Sequence, residues 1–321
     1  MRTILVTGAA GYVGGTLTRR LLADPETSVV GVDLCEMDHG AEGVREILDH
    51  PRFTMVRADV RDTAALEPLL ATSDAVVHLA AVVGDPAGKR DPERTRAINV
   101  GASQDLIAAS KKAGIKHFVF VSTCSNYGVS DTDTLVTEDG DLNPVSLYAE
   151  TKVAVEKALL AETELPATVC RFATVYGVAP RMRFDLTVNQ FTIEALQDGV
   201  LEIYGEQFWR PYVHVEDAAR AIELVLATPE KSIGRVYNVG DSGENYTKGM
   251  MYELLKERLP ELEAKWVDIN EDPRSYKVSF QRIADELGYS TTWTVPTGMD
   301  QIIAQARLGA FPDPKAGRFR N

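Results

Sequence analysis

A chain of 321 residues, 45% hydrophobic and 25% charged, is long enough for one large α/β unit or two modest domains with a sizeable core. Its 34 Lys and Arg against 47 Asp and Glu leave a net charge of -13, which argues against wrapping DNA or docking on anionic lipid, since both need a basic face. Cys35, Cys124 and Cys170 are odd in number, far apart and without a Cys-x-x-Cys pair, so they fit a reducing compartment better than a disulfide framework, and no metal site is expected.

The chain begins at once on a strand and a glycine turn, without a signal-peptide pattern, and no apolar run approaches the length of a membrane span, so a cytoplasmic protein is expected. Residues 2–7 are rich in β-branched side chains and lead into TGAAGYVG, with Gly8, Gly11 and Gly14, and then into a helical pattern over 12–23. Strand, glycine turn and helix in that order let the turn tighten, let a pyrophosphate approach the backbone and let the helix pack close to its strand. The helix amino end adds unpaired N–H groups and a favourable dipole. The second apolar run, 28–32, ends in Asp33, twenty-five residues after Gly8. A carboxylate there accepts both hydroxyls of an adenosine ribose and repels a 2′-phosphate, so NAD is favoured over NADP.

Residues 53–56 read as a third strand, with Asp59 and Val60 placed to meet an adenine amino group. A fourth strand over 75–79 ends in HLAA, whose small residues suit close approach of the backbone to a cofactor and close packing of strand on helix equally well. His78 reads as a satisfied core histidine, because no partner at metal spacing accompanies it. The pattern over 91–113 is helical with Asn99 at its centre, and 116–121 is a fifth strand that delivers STCSNYG at its carboxyl end. A helix over 147–162 and a strand over 167–172 follow.

Tyr148 and Lys152, in SLYAETK, are four apart and so project from one face of that helix. A free tyrosine titrates near ~10 and is a poor base at neutral pH, but an adjacent ammonium favours the phenolate. Thr123 can then hold a substrate oxygen for the proton transfer. Glu150 offers no second acid, since two residues past Tyr148 it lies about 200° round the helix. Strands alternating with helices imply a parallel sheet whose ligand crevice lies at the strands' carboxyl ends. Beyond Gly177 the alternation loosens. We expect a dinucleotide-binding domain over 1–177, with 236–264 returning to it, a smaller lobe from 178–235 and 265–321, and a loose tail after Phe311.

TGAAGYVG, Asp33, HLAA, Asn99, STCSNYG, YAETK, RFATVYG and RPYVHVEDAA stand in the order and approximate spacing of extended short-chain dehydrogenases/reductases. Within them the chain resembles the NAD-dependent nucleotide-sugar epimerase/dehydratase family over nearly its whole length. The resemblance implies an α/β fold, a Rossmann-type doubly wound parallel sheet with a smaller C-terminal substrate-binding lobe. It implies Tyr148 as catalytic base, Lys152 as its partner and holder of the nicotinamide ribose, and Thr123 as binder of the reacting oxygen. NAD contacts are implied at Gly8, Gly11, Tyr12, Val13, Gly14, Asp33, Leu34, Asp59, Val60, Leu79, Ala80, Ala81, Asn99, Ser122, Tyr148 and Lys152. The nucleotide diphosphate sugar would meet Thr123, Cys124, Ser125, Thr174, Asn189, Arg210 and Arg274, the two guanidiniums gripping the diphosphate.

Family members that eliminate water carry Asp-Glu directly after the catalytic Thr, and Cys124 and Ser125 replace that pair here. Decarboxylating members with Glu at the second position lose their match too, and Thr174 stands where RFxN would give Asn. The expectation is therefore a nucleotide-sugar 4-epimerase that keeps its NAD. A 4-keto-sugar reductase is the runner-up, a dehydratase or decarboxylase is disfavoured, and a dinucleotide-sensing regulator is the alternative outside enzymology. The resemblance also implies a two-fold homodimer, for which Ile98, Leu106, Ile107, Val153, Val155 and Leu159 are read as apolar surface in need of a partner.

Overall fold

Strands β1 (Arg2–Thr7), β2 (Thr27–Asp33), β3 (Phe53–Arg57), β4 (Ala75–His78), β5 (His117–Thr123) and β6 (Ala167–Phe172) pair in parallel. After β7 (Thr174–Tyr176), β8 (Val200–Tyr204) and β9 (Trp209–His214), the chain returns through β10 (Val236–Val239) to complete a seven-stranded sheet in the order β10-β6-β5-β4-β1-β2-β3. The computed structural model describes residues 2–36, 40–267 and 274–320, and of 85–87 the backbone only.

Alternate side chains of each strand go to opposite faces, and both faces are apolar. Ile4, Val6, Val119 and Val121 meet Leu17, Leu21 and Ile222 on one side, whereas Leu5, Phe118 and Phe120 meet Leu106, Val155 and Leu159 on the other. Each such fully buried side chain contributes about 1.5–3 kcal/mol, so two helical layers are needed to hold the sheet. The strand order reverses direction between β1 and β4, which opens a crevice at their carboxyl ends.

Local sequence sets the helix ends that matter. Ser146 accepts from Ala149 N–H at 3.3 Å and starts the Leu147–Ala161 helix just ahead of Tyr148. Gly114, with φ of 72°, ends the Ser103–Ala113 helix in the left-handed region. The expected long helix over 91–113 is continuous, yet it widens to a π-helical turn over Ala97–Ala102, centred on Asn99.

The second lobe holds the three-stranded sheet β11-β9-β7, with β11 at Asn245–Thr247, and the pair β12-β8, with β12 at Glu263–Val267. Helices Thr187–Asp198, Lys248–Arg258 and Val295–Arg307 close over it around Phe191, Leu201, Tyr212, Leu255 and Met299. Of the segment expected to return to the large sheet, only β10 does so; β11 and the helix after it pack in this lobe. Residues 268–273 of the expected lobe lie outside the described residues.

Two expectations are corrected. The tail is not loose: Phe319 is 4% exposed, its carbonyl accepts from Phe184 N–H at 2.8 Å, and Phe311 and Phe319 set their rings edge-on to Phe184. Two aromatic rings outweigh the Pro, Gly and Arg around them. The six apolar residues read as dimer surface, Ile98, Leu106, Ile107, Val153, Val155 and Leu159, are all buried within the single chain. The sheet covers four of them, and the π-helical turn brings Ile98 against Val60 and Ala102. No described helix is long and apolar enough to cross a membrane.

Candidate active site

The carboxyl ends of the parallel strands carry the expected residues along one rim. Gly8 follows β1 with φ of 73°, and a Cβ there would stand 2.9 Å from Ala80 N, so the turn after β1 and the segment after β4 run flush against each other. A Cβ on Gly14 would lie 2.0 Å from Gly8 O, which binds the helix Tyr12–Ala23 tightly to the turn. Gly11, the N-cap, is extended and no side chain caps it, so the first N–H groups of the helix are left for a ligand. This cradle fits the pyrophosphate of NAD. Val13 and Tyr12 form the first turn; the Tyr12 hydroxyl donates to Gly177 O at 2.6 Å and helps join the two lobes.

Asp33 closes β2 with its carboxylate already oriented, Oδ2 accepting from Ala10 N–H at 3.1 Å and Oδ1 from Cys35 N–H at 2.9 Å. Each oxygen keeps a second lone pair for a ribose hydroxyl. NAD-free protein titrated with both dinucleotides is expected to bind NAD at least about tenfold more tightly than NADP, about 1.4 kcal/mol. Equal or reversed affinities would show that Asp33 does not face the ribose. Leu34 follows it. After β3, Asp59 is forked by Arg61, whose Nη2 lies 2.6 Å from Oδ2, and this contact holds the Asp59 carboxyl below its usual range; the buried Val60 follows. Leu79, Ala80 and Ala81 are half-buried after β4.

Asn99 is a bridge. Its Oδ1 accepts from Val82 N–H at 2.8 Å, and its Nδ2 donates to Val82 O at 3.0 Å and to Thr151 Oγ1 at 3.2 Å. The amide therefore ties the segment after β4 to the helix that bears Tyr148 and Lys152. His78 is the core histidine expected, with Nδ1 on Thr7 Oγ1 and Nε2 on Ser103 Oγ; burial pushes it down to about 3 and keeps it neutral.

Thr123 ends β5, and its hydroxyl accepts from Ser125 N–H at 3.1 Å. Lys152 is buried, with its Nζ donating to Val121 O at 2.9 Å, 4.7 Å from the Phe120 ring centroid and 5.9 Å from that of Tyr148. Tyr148 itself is half-exposed. Burial lowers the ammonium from its ordinary value to about 8, opposed by the negative charge of Glu156. An ammonium beside a phenol can remove a proton from an alcohol and return it.

The remaining sequence candidates divide. Arg210 on β9 donates to Arg274 O and to Trp209 O and lies 5.3 Å from the Tyr276 ring centroid, so the two arginines share one corner. Ser125 Oγ accepts from the Tyr276 hydroxyl at 3.3 Å, and Thr174 on β7 is half-buried. Cys124 is turned into the core: it is 1% exposed, its thiol reaches Arg171 O at 3.3 Å, and burial pushes it well above its ordinary value. Asn189 is likewise interior, its amide spent on Gly177 N–H, Arg183 O and the Tyr12 hydroxyl. The Ser122 hydroxyl is directed at buried Glu156. These three side chains are structural because each lies where a polar group must find an internal partner.

Three residues escaped the sequence reading. Tyr276 stands two residues past Arg274 in DPRSYKV, with nothing in the sequence to set it apart. Glu156 and Arg171 left a usable signal, since a charged residue inside the apolar strand ATVCRF demands a partner.

The chain is similar to known proteins over most of its length. The model of the NAD dependent epimerase/dehydratase family matches residues 4–240. The uncharacterized UDP-glucose epimerase YtcB of Bacillus subtilis is 34% identical over 246 residues, 74% of this chain and 76% of that one. A dTDP-glucose 4,6-dehydratase of Streptomyces griseus is 31% identical over 315 residues, 94% of this chain and 93% of its own. Among solved structures, the UDP-glucuronic acid 4-epimerase of Bacillus cereus, in complex with UDP-glucuronic acid and NAD, superposes with a TM-score of 0.84 at 27% identity, covering 94% of this chain and 99% of that one. A glycine turn, the Asp33 carboxylate, Thr123, Tyr148 and Lys152 thus sit on a chain that belongs to the NAD dependent epimerase/dehydratase family, an NAD-dependent enzyme of the extended short-chain dehydrogenase/reductase type.

Proposed function

We propose that the chain is a nucleotide-sugar 4-epimerase that retains its cofactor through the cycle. The observation that carries this reading is the position after Thr123, where a core-facing Cys124 thiol stands in place of a carboxylic acid. Thr123, Tyr148 and Lys152 suffice for oxidation and reduction at one carbon. Loss of water from the neighbouring carbons needs a further acid and base, and a thiol held protonated in the core supplies neither.

In the proposed cycle Thr123 holds the 4-oxygen of the sugar and Tyr148 takes the proton of the 4-hydroxyl. Lys152 stabilises the phenolate through its charge. Bound NAD supplies the hydride acceptor and, in the second half, the donor. The 4-keto sugar turns in the site, and Tyr148 returns the proton to the oxygen on the other face. Arg210 and Arg274 would hold the diphosphate, so binding energy far from the reacting carbon keeps the intermediate from leaving. A two-fold homodimer built on the Ser103–Ala113 and Leu147–Ala161 helices belongs to the same reading. With the six apolar residues internal, Gln104, Ala108, Ala154, Lys157 and Leu160 form the surface left for it.

Incubation with a panel of UDP-, dTDP-, GDP- and CDP-sugars, followed by NMR with no nicotinamide added, is expected to yield a 4-epimer. Product that requires added reduced nicotinamide would identify a 4-ketoreductase, and a 4-keto-6-deoxy product a dehydratase. Either would end the epimerase reading. The same assay should lose rate as pH rises through about 8, because Lys152 then gives up the charge that supports the phenolate.

A further inference from the structure

Behind the reacting residues lies a buried ion pair that no step above uses. Glu156 follows Lys152 by one helical turn, and its side chain is 1% exposed; Arg171 on β6 faces it at 5%. Arg171 Nε donates to Glu156 Oε1 and Oε2 at 3.3 and 3.0 Å, and Nη2 donates to Oε2 at 2.8 Å. From the opposite side the Ser122 hydroxyl and Asn126 Nδ2 donate to Oε1, the latter at 2.7 Å. Ser122 directly precedes Thr123, and Asn126 lies in the short 3-10 turn Cys124–Tyr127 that Thr123 caps. Lys152 Nζ holds the carbonyl of the residue before, Val121. The end of β5 is thus moored to the Tyr148 helix on either side of Thr123.

The other arm of Arg171 reaches the opposite way, with Nη1 donating to the Tyr127 hydroxyl and to Glu138 O, each at 3.0 Å. Tyr127 in turn donates to Asn238 Oδ1 at 2.7 Å, and Glu138 Oε1 accepts from Asn238 N–H at 2.8 Å. A buried ion pair of this kind stabilises a fold no better than two apolar side chains of the same volume. Stability therefore does not explain the network. A densely bonded buried network, in which of these side chains only Asn126 Oδ1 lacks a partner, fixes one geometry, and proton transfer is sensitive to displacements of about 1 Å.

We propose that Glu156 and Arg171 are positioning residues, which set the spacing of Thr123 from Tyr148 and Lys152 and hold Lys152 in its charged place. The turnover arm of the test rests on the epimerase reading; the titration arm needs no substrate.

The test is the double variant Glu156→Leu/Arg171→Met, which exchanges the pair for apolar side chains and is expected to melt within about four degrees of the unaltered protein and to keep its NAD. Lys152 is followed by NMR of protein labelled at the lysine side chains and assigned with Lys152→Met. The groups that face it are Tyr148 and Glu156 from its own helix, the Phe120 ring from β5 and His78 from β4. In the double variant its titration is expected to fall by about one pH unit, and kcat about thirtyfold with KM within about threefold. A stable double variant in which Lys152 titrates where it did before, or which turns over at the unaltered rate, overturns the proposal. If the double variant does not fold, Glu156→Gln keeps shape and an acceptor while removing the charge, and an unmoved Lys152 titration there overturns it equally. Protein that epimerises no sugar yet shows the lowered titration sinks the epimerase reading and leaves this one standing.

Discussion

Tyr148→Phe is expected to turn over about a thousandfold more slowly than the unaltered chain while binding NAD equally and melting within about two degrees of it. The substitution removes only the phenolic oxygen, which is the atom that takes the proton from the sugar and returns it. A thousandfold corresponds to about 4 kcal/mol of barrier, within the usual range for one positioned acid–base group. Thr123 stays on its strand end and Lys152 keeps its bond to Val121 O. The defect should therefore appear in kcat with little change in KM. Unchanged turnover in this variant would remove Tyr148 from the mechanism.

Gly14→Ala is expected to weaken NAD binding about a hundredfold or more, about 2.7 kcal/mol, and to lower the melting temperature by several degrees. In an ordinary helix this exchange is favourable by up to about 1 kcal/mol. Here the added methyl would stand 2.0 Å from Gly8 O and 2.9 Å from Ala9 Cα, and both are backbone atoms that no rotamer change can move. The helix must slide away from the turn, and the N–H groups aimed at the pyrophosphate move with it. Dissociation constants from calorimetry check this directly; an affinity equal to that of the unaltered protein would show that the turn does not hold the phosphates.

The cofactor half was legible because each of its elements has a local signature. The β-branched runs, the glycine turn, Asp33 and the Tyr148 and Lys152 spacing are written in neighbouring residues. The observed strands differ from the expected ones by at most two residues at either end. The second lobe was legible only in outline. Its helices Thr187–Asp198 and Lys248–Arg258 and strand Val200–Tyr204 are mixed in pattern and stabilised by one another, so little marks them before they pack. The inward turns of Asn189, Cys124 and Ser122 were hidden for a related reason: which way a polar side chain faces depends on partners such as Tyr12, Arg171 and Glu156, distant in sequence. Length of the apolar stripe also misled. Val155 and Leu159 looked like surplus surface until Phe118 and Phe120 were seen to cover them.

The placement of Phe319 bears on the order in which the fold is completed. Its ring belongs to a cluster that contains Tyr12, Phe184 and Ile302, so the helix that follows the glycine turn shares a core with side chains far along the sequence. Contacts this distant in sequence form late, after loop closure has been paid for in entropy. Closure of this cluster is therefore expected among the last steps of refolding, after the local contacts of the glycine turn have formed.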